Sequence, residues 1–335
     1  MRILFAASPS IAVPSLEALV RFKSNSVKLE IAGVLTNPDA PRGRKGVPLP
    51  SETGEAAQRL QNEAQLKQCA QLKQCAAFPV LKPPALDAGV REQINLLKPD
   101  ILVSFAFGRI FGPKFLGLFP LGGINIHPSL LPKYRGPSPV QAAILNRDSV
   151  TGISIQKLAP EMDCGDILAV KELQLTKTET AGSLSADISE IAAGMLPEVL
   201  VKIADGTIKS AAQNHSEATY CRLITREDGL INWNQSVSEI EAKIRAFTPW
   251  PLCRTIHNGR ELFILKAFIY NNIEQGKAAQ VLGIDKNCGI LIQTGTGILC
   301  VTELQYQAKK ALGWRDFLNG ARDFTGCKDE PALLG

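Results

Sequence analysis

The 335-residue chain predicts an α/β architecture, a doubly wound and mostly parallel sheet followed by a small OB-like β-barrel. Three observations carry that reading. Short apolar strands alternate with amphipathic stretches through the amino-terminal part, the βαβ pattern of a parallel sheet. The polar pair Asn125 and His127 stands at the end of one such strand, where Pro128 cannot continue the ladder. Beyond Ala246 the pattern changes to short strands separated by Gly-rich turns.

Taken in order, residues 2–6 and 29–35 read as strands around a helix over 15–22. Two buried strands follow at 101–105, after Pro99-Asp100, and at 123–127, after Gly122-Gly123, with helical patterns at 85–97 and 138–146. Residues 167–175 alternate like a strand. A loop and long helix over 178–204 carry Leu184, Ile188, Ile191, Leu196 and Leu200 at helical spacing. The expected strands of the barrel are 253–256, 261–267, 279–283, 289–294 and 297–304. The resulting domain map is 1–208, a linker over 209–224, and 225–335.

Asn125 and His127 are separated by one apolar residue, so on an extended strand both leave the same face while Ile124 and Ile126 enter the core. Strand ends are where open α/β sheets place chemistry. A lone histidine is more often a satisfied core residue than a working one. Here it is joined by Asn125 and, 36 residues downstream, by Asp163 in the run Glu161-Met162-Asp163-Cys164-Gly165-Asp166, a donor and acid set with the composition of an active site. Asp166 competes with Asp163 for the acidic role.

Composition narrows the classes. Hydrophobic residues make up 45% and charged residues 21%, ordinary values for a soluble protein. No stretch approaches the roughly 20 apolar residues of a membrane span, and no secretory signal is evident, so a cytoplasmic location is expected. The eight cysteines include no CxxC pair, which argues against a zinc site and for reduced thiols. Neither GxGxxG nor GxxxxGK[ST] accompanies the first strand, which weakens a dinucleotide or nucleoside triphosphate reading. The net charge of +5 is spread evenly: residues 1–220 hold 23 Lys and Arg against 20 Asp and Glu, and residues 221–335 hold 14 against 12. Bulk charge therefore gives no argument for nucleic acid. Arg42, Arg44 and Lys45 form the densest basic run, and such a run is usually a solvated loop. Gln-Leu-Lys-Gln-Cys-Ala occurs twice in tandem over 65–76, which reads as a helix extension or surface insertion.

Beyond these readings, the chain resembles the formyltetrahydrofolate-dependent formyltransferases and, among them, the methionyl-tRNA formyltransferase family. The resemblance runs end to end. It rests on Met1 to Pro9, with Ala7-Ser8 where Gly-Thr is usual; on Thr36-Asn37-Pro38-Asp39 with Arg42 to Gly46; on Phe105 to Ile110; and most specifically on His127-Pro128-Ser129-Leu130-Leu131-Pro132-Lys133-Tyr134-Arg135-Gly136 with Asp163 at the family's spacing. Gly229 to Trp233 and Ile244 to Pro251 resemble the start of the family's carboxy-terminal domain.

The resemblance implies formyl transfer from 10-formyltetrahydrofolate to the α-amino group of methionine on initiator tRNA. Asn125, His127 and Asp163 would be catalytic, with Asp163 raising the pKa of His127. Phe107, Gly108, Arg109, Ser129, Leu130, Leu131 and Pro132 would bind folate. Arg42, Arg44 and Lys45 would contact the tRNA, Arg135 and Gly136 would shape the substrate loop, and 225–335 would hold the tRNA body. No metal is implied, Cys164 is a bystander, and a monomer is expected. Rival readings keep the chemistry and change the acceptor to a nucleotide-sugar amine or a purine precursor, or make the chain an RNA-binding module with a degenerate enzyme domain. The basic loop and the second domain weigh against the sugar acceptor, the second domain against the purine precursor, and the intact Asn125, His127 and Asp163 set against the RNA-binding module.

Overall fold

The computed structural model describes residues 1–24, 26–41, 46–65, 77–326 and 332–334. Two compact units account for the chain. Met1–Pro139, Val150–Leu173 and Ser185–Cys221 make the first, and Val140–Ser149, Gln174–Leu184 and Arg222–Gly335 the second.

The first unit begins with β1 (Arg2–Ala7), a 3-10 turn, α1 (Val13–Arg21) and β2 (Glu30–Leu35). A two-stranded ribbon, β3 (Ala40–Pro41) and β4 (Pro48–Leu49), leads to α2 (Glu52–Gln65), β5 (Val80–Leu81), α3 (Ala88–Leu96) and β6 (Ile101–Phe105). The short α4 (Pro113–Leu116) precedes β7 (Gly123–His127); α5 (Pro139–Leu145), which falls almost wholly in the second unit, β8 (Val150–Lys157), β9 (Ile167–Gln174) and the long α6 (Ala181–Ala204) follow along the chain. The sheet order is β5-β2-β1-β6-β7-β8-β9. The first five strands run parallel, and β8 is antiparallel to β7.

Strands this buried need apolar runs on both faces, and Ile3 to Ala7 and Ile101 to Val103 are all fully buried. Beside them Phe107, Phe111, Phe115 and Phe119 form a column with ring centroids 5.3, 5.2 and 5.7 Å apart. The Asp87 side chain accepts from Val90 N and caps α3, which satisfies one of the helix's free N–H groups. The chain winds outward from β1 to β2 and β5 and then reverses to β6, so the carboxyl ends of β1 and β6 flank a switch point, the usual ligand crevice of such sheets.

The second unit holds α7 (Val237–Ala246), opened by a capping box between Ser236 and Glu239. Its strands are β10 (Cys253–His257), β11 (Arg260–Asn271), β12 (Val281–Asp285), β13 (Gly289–Gln293), β14 (Ile298–Tyr306) and β15 (Leu312–Gly313), and α8 (Trp314–Gly320) follows. Their path is β10-β11-β14-β13-β12, with every register antiparallel, and β15 pairs with β14. Register shifts between Ile264 and Ala267 and between Ile269 and Asn271 bend the long β11, as bulges do.

The five strands expected in the second unit are all present, although β11 and β12 are shifted or longer. Residues 140–149 and 174–184 also belong to it, ahead of the expected boundary. Within that unit Gly182 N donates to Thr248 O at 3.0 Å, Arg245 to Glu179 O at 3.1 Å and Arg147 to Ser238 Oγ at 2.6 Å. The expected linker is strapped to the first unit as far as Cys221: Ala211 exchanges backbone bonds with Ile167, and Arg135 does so with Thr219 and Cys221. The tandem repeat lies outside the described residues except for Gln65, whose backbone ends α2.

Candidate active site

The register of β7 against its neighbours assembles the site. Asn125 pairs with Ser104 on β6 and with Gln156 on β8, and His127 pairs with Ser154, so all five groups share one stretch of the sheet. Ile124 and Ile126 point into the core, at 2% and 1% exposure, as the alternation requires.

The acid arrives on the turn between β8 and β9. Gly165 lies so close to Lys157 that an added Cβ would stand 1.9 Å from its carbonyl oxygen, and this close approach folds the turn back onto the strand end. Asp163, on that turn, has φ +55, a left-handed conformation that aspartate tolerates better than most residues. Its Oδ1 accepts from Gln156 Nε2 at 2.8 Å and from Asn125 Nδ2 at 3.3 Å, and its Oδ2 accepts from Gly136 N at 2.9 Å. His127 Nδ1 stands 3.5 Å from Oδ2. Asp166 instead sits at the surface, where Lys157 at 3.0 Å holds its carboxyl below the ordinary value. Of the two competing carboxylates, Asp163 is the one beside Asn125 and His127.

His127 is almost fully buried, and its Nε2 lies 2.8 Å from Tyr134 O. A carbonyl can only accept, so Nε2 carries the proton and the neutral ring leaves Nδ1 bare toward Asp163. Burial pushes the imidazole below its ordinary value, against the opposing pulls of the Asp163 carboxylate and the Tyr134 carbonyl. The Asp163 carboxylate does pull this pKa upward, as the sequence leads one to expect, but desolvation in so closed a position outweighs it and sets the net direction.

The loop after His127 is rigid. Leu131 N donates to Ser154 Oγ at 3.0 Å, the Ser154 hydroxyl donates to Ser129 O at 2.8 Å, and Ser129 Oγ donates to Lys133 O. Ser129 and Leu131 are buried, and Leu130 and Pro132 are half-buried. At the crevice between β1 and β6, Phe107 puts its ring into the aromatic column, so any ligand contact at this position is through its backbone. Gly108 has φ +78, and Arg109 donates to Pro83 O at 2.9 Å. Asn37 Nδ2 donates to Phe107 O at 3.2 Å, while the buried Asn37 Oδ1 has no partner among the described residues.

Residues 1–200 match the formyl transferase family model, and residues 223–322 match the formyl transferase carboxy-terminal domain. A methionyl-tRNA formyltransferase from Treponema denticola is 47% identical over 97% of this chain and 98% of its own length. The chain belongs to the methionyl-tRNA formyltransferase family. Two solved structures share the fold. An N-formyltransferase from Helicobacter canadensis, in complex with folinic acid and dTDP-3-aminofucose, has a TM-score of 0.60 at 20% identity, covering 89% of this chain and 98% of its own. HypX from Aquifex aeolicus, in complex with tetrahydrofolic acid, has a TM-score of 0.57 at 17% identity over 99% of this chain; this chain spans 50% of the HypX length.

Asn125, His127 and Asp163, expected from the sequence as a set, meet at one strand end, and residues that the sequence does not single out surround them. Arg42, Arg44 and Lys45 lie outside the described residues. Arg135, expected to shape a substrate loop, is 2% exposed, and its guanidinium donates to Gln213. Gly136 does serve the site, through its N–H to Asp163. Gln156 and Gln213 were not anticipated. Gln156 had one available signal: it is an amide directly after Ile153-Ser154-Ile155, seven residues before Asp163.

Proposed function

We propose that this chain transfers the formyl group of 10-formyltetrahydrofolate to the α-amino group of methionyl-initiator-tRNA, giving formylmethionyl-tRNA for translation initiation. The observation that carries the reading is the meeting of Asn125, His127 and Asp163 at one strand end in a chain 47% identical to a methionyl-tRNA formyltransferase.

Asn125, His127 and Asp163 are the catalytic residues. Attack by the amine builds negative charge on the formyl oxygen, and preorganised donors are worth most where that charge develops. The Asn125 amide is one donor. The bare Nδ1 of His127 takes the proton leaving the amine, the imidazolium so formed is held beside Asp163, and Nδ1–H then donates toward the charged oxygen. The proton passes on to the folate nitrogen as its bond to the formyl carbon breaks. Burial lowers the pKa of the ring, so it begins the cycle neutral with Nδ1 able to take the proton.

The co-substrate supplies the activated formyl group. Ser129, Leu130, Leu131 and Pro132 line its pocket on one side, and the backbone of Phe107, Gly108 and Arg109 borders the other. The unpartnered Asn37 Oδ1 beside Phe107 O fits a ligand that brings N–H donors. Arg42, Arg44 and Lys45 contact the acceptor end of the tRNA, and residues 225–335 hold its body, with 1–208 as catalytic domain and 209–224 between them. The protein acts as a cytoplasmic monomer; among the described residues no helix is long and apolar enough to cross a membrane.

A formylation assay with 10-formyltetrahydrofolate tests the reading. Charged initiator tRNA should be formylated. A chain that formylates only a nucleotide-sugar amine, or nothing, would refute it.

A further inference from the structure

We propose that Gln156 and Gln213 are positioning residues for formyl transfer, passing the fixed donor character of Arg135 to the Asp163 carboxylate. The inference rests on the function proposed above for the same site.

A primary amide has nearly the same shape when flipped, so its neighbours decide which end donates. Arg135 settles the matter here because a guanidinium has five donors and no acceptor. Its Nε and Nη2 donate to Gln213 Oε1 at 3.1 and 2.6 Å. Gln213 must then present its NH2 group on the other side, where it meets Gln156 Oε1 at 3.2 Å, Asp163 O at 2.9 Å and Gly165 O at 2.7 Å. With its oxygen engaged, Gln156 turns its own NH2 group to Asp163 Oδ1 at 2.8 Å. Arg135, Gln156 and Gln213 are 2%, 2% and 6% exposed, which leaves little room for water to replace a missing partner.

The chain of donors ends on a particular oxygen. Oδ1 is held by Gln156 and Asn125, which leaves Oδ2 for Gly136 N and for His127 Nδ1. Loop anchoring alone would need only the two backbone carbonyls that Gln213 binds. The added reach of Gln156 to the carboxylate sets its plane.

The test is Gln156→Met in the full-length protein, which keeps length and volume and removes the donor. The expected result is a kcat lower by about tenfold with KM for tRNA and folate within about twofold. In the free protein, the amide resonance of Gly136, whose N–H is donated to Asp163 Oδ2, should shift and its hydrogen exchange should speed up by about tenfold as the carboxylate loses its fixed plane. Wild-type kcat with an unmoved Gly136 resonance and unchanged exchange would overturn the proposal. If Gln156→Met does not fold, Gln213→Glu serves in its place: it keeps the acceptor for Arg135 and removes the donor to Gln156, and an unmoved Gly136 resonance there also overturns it. A parent protein that fails to formylate charged tRNA would refute the function reading, while the Gly136 resonance would still decide this one.

Discussion

Gln156 stands directly across from Asn125 in the antiparallel pair of β7 and β8, and both amides donate to the same oxygen of Asp163. Sheet register, not loop conformation, therefore places two of the three groups around the carboxylate. Rigid elements hold reacting groups to tighter tolerances than loops do. The third donor, Gly136 N, comes from a segment strapped to Cys221 on its far side.

The titration of His127 should reflect its burial. Its folded pKa is lowered, so the free enzyme should show this ring titrating below about 6.5, the ordinary histidine value. As pH falls below that value the unfolded chain takes up a proton that the folded chain refuses, so His127 contributes a loss of stability on acidification. His257, also lowered mainly by burial, contributes in the same direction. Assigned imidazole resonances separate the two, and a His127 titration above 6.5 would show that Asp163 outweighs desolvation.

Asp166→Asn should leave kcat within about twofold of the parent, because it removes an exposed pair with Lys157 and a surface contact to Ser210, neither of which reaches Asn125 or His127. Steady-state kinetics decides this. A large loss would assign the acidic role to the wrong carboxylate.

Gly136→Ala should damage both fold and rate. The residue has φ +114, and an added Cβ would lie 2.3 Å from Cys221 O. The expected cost is about 2 kcal/mol or more, with kcat falling as the N–H to Asp163 moves. Thermal unfolding and turnover measured together check it; an unchanged Tm would mean that the strap yields easily.

Arg44→Ala should raise KM for charged tRNA and weaken the salt dependence of tRNA binding, with folate affinity unchanged. Titrating each substrate at several salt concentrations separates the two effects. A parallel loss of folate affinity would contradict the assigned division between the basic loop and the pocket.

Much of this was legible because burial leaves a local trace. The runs at 2–6, 101–105 and 123–127 are apolar throughout, and Pro128 marks where the last one must end. β8 was less visible. Val150-Thr151-Gly152-Ile153-Ser154-Ile155-Gln156 mixes apolar and polar residues, and its buried Ser154 and Gln156 are satisfied by distant partners, Ser129, Leu131, Asp163 and Gln213. Gln213 was hidden for the same reason: it lies in a stretch with the composition of a linker, and its partners, Arg135, Gln156 and the Asp163 turn, are all distant in sequence. The helices α2 and α7 carry local start signals, Ser51 accepting from Gly54 N and the Ser236–Glu239 capping box, that are weaker in the sequence than the apolar runs of the strands.

Single-turnover formyl transfer to charged initiator tRNA, measured for the parent and for Asn125→Ala, His127→Ala and Asp163→Asn, tests the central claim most directly. The account predicts that each variant folds, binds folate and reacts at least about 100-fold more slowly than the parent. A His127→Ala protein that formylates at a rate near the parent's would contradict it.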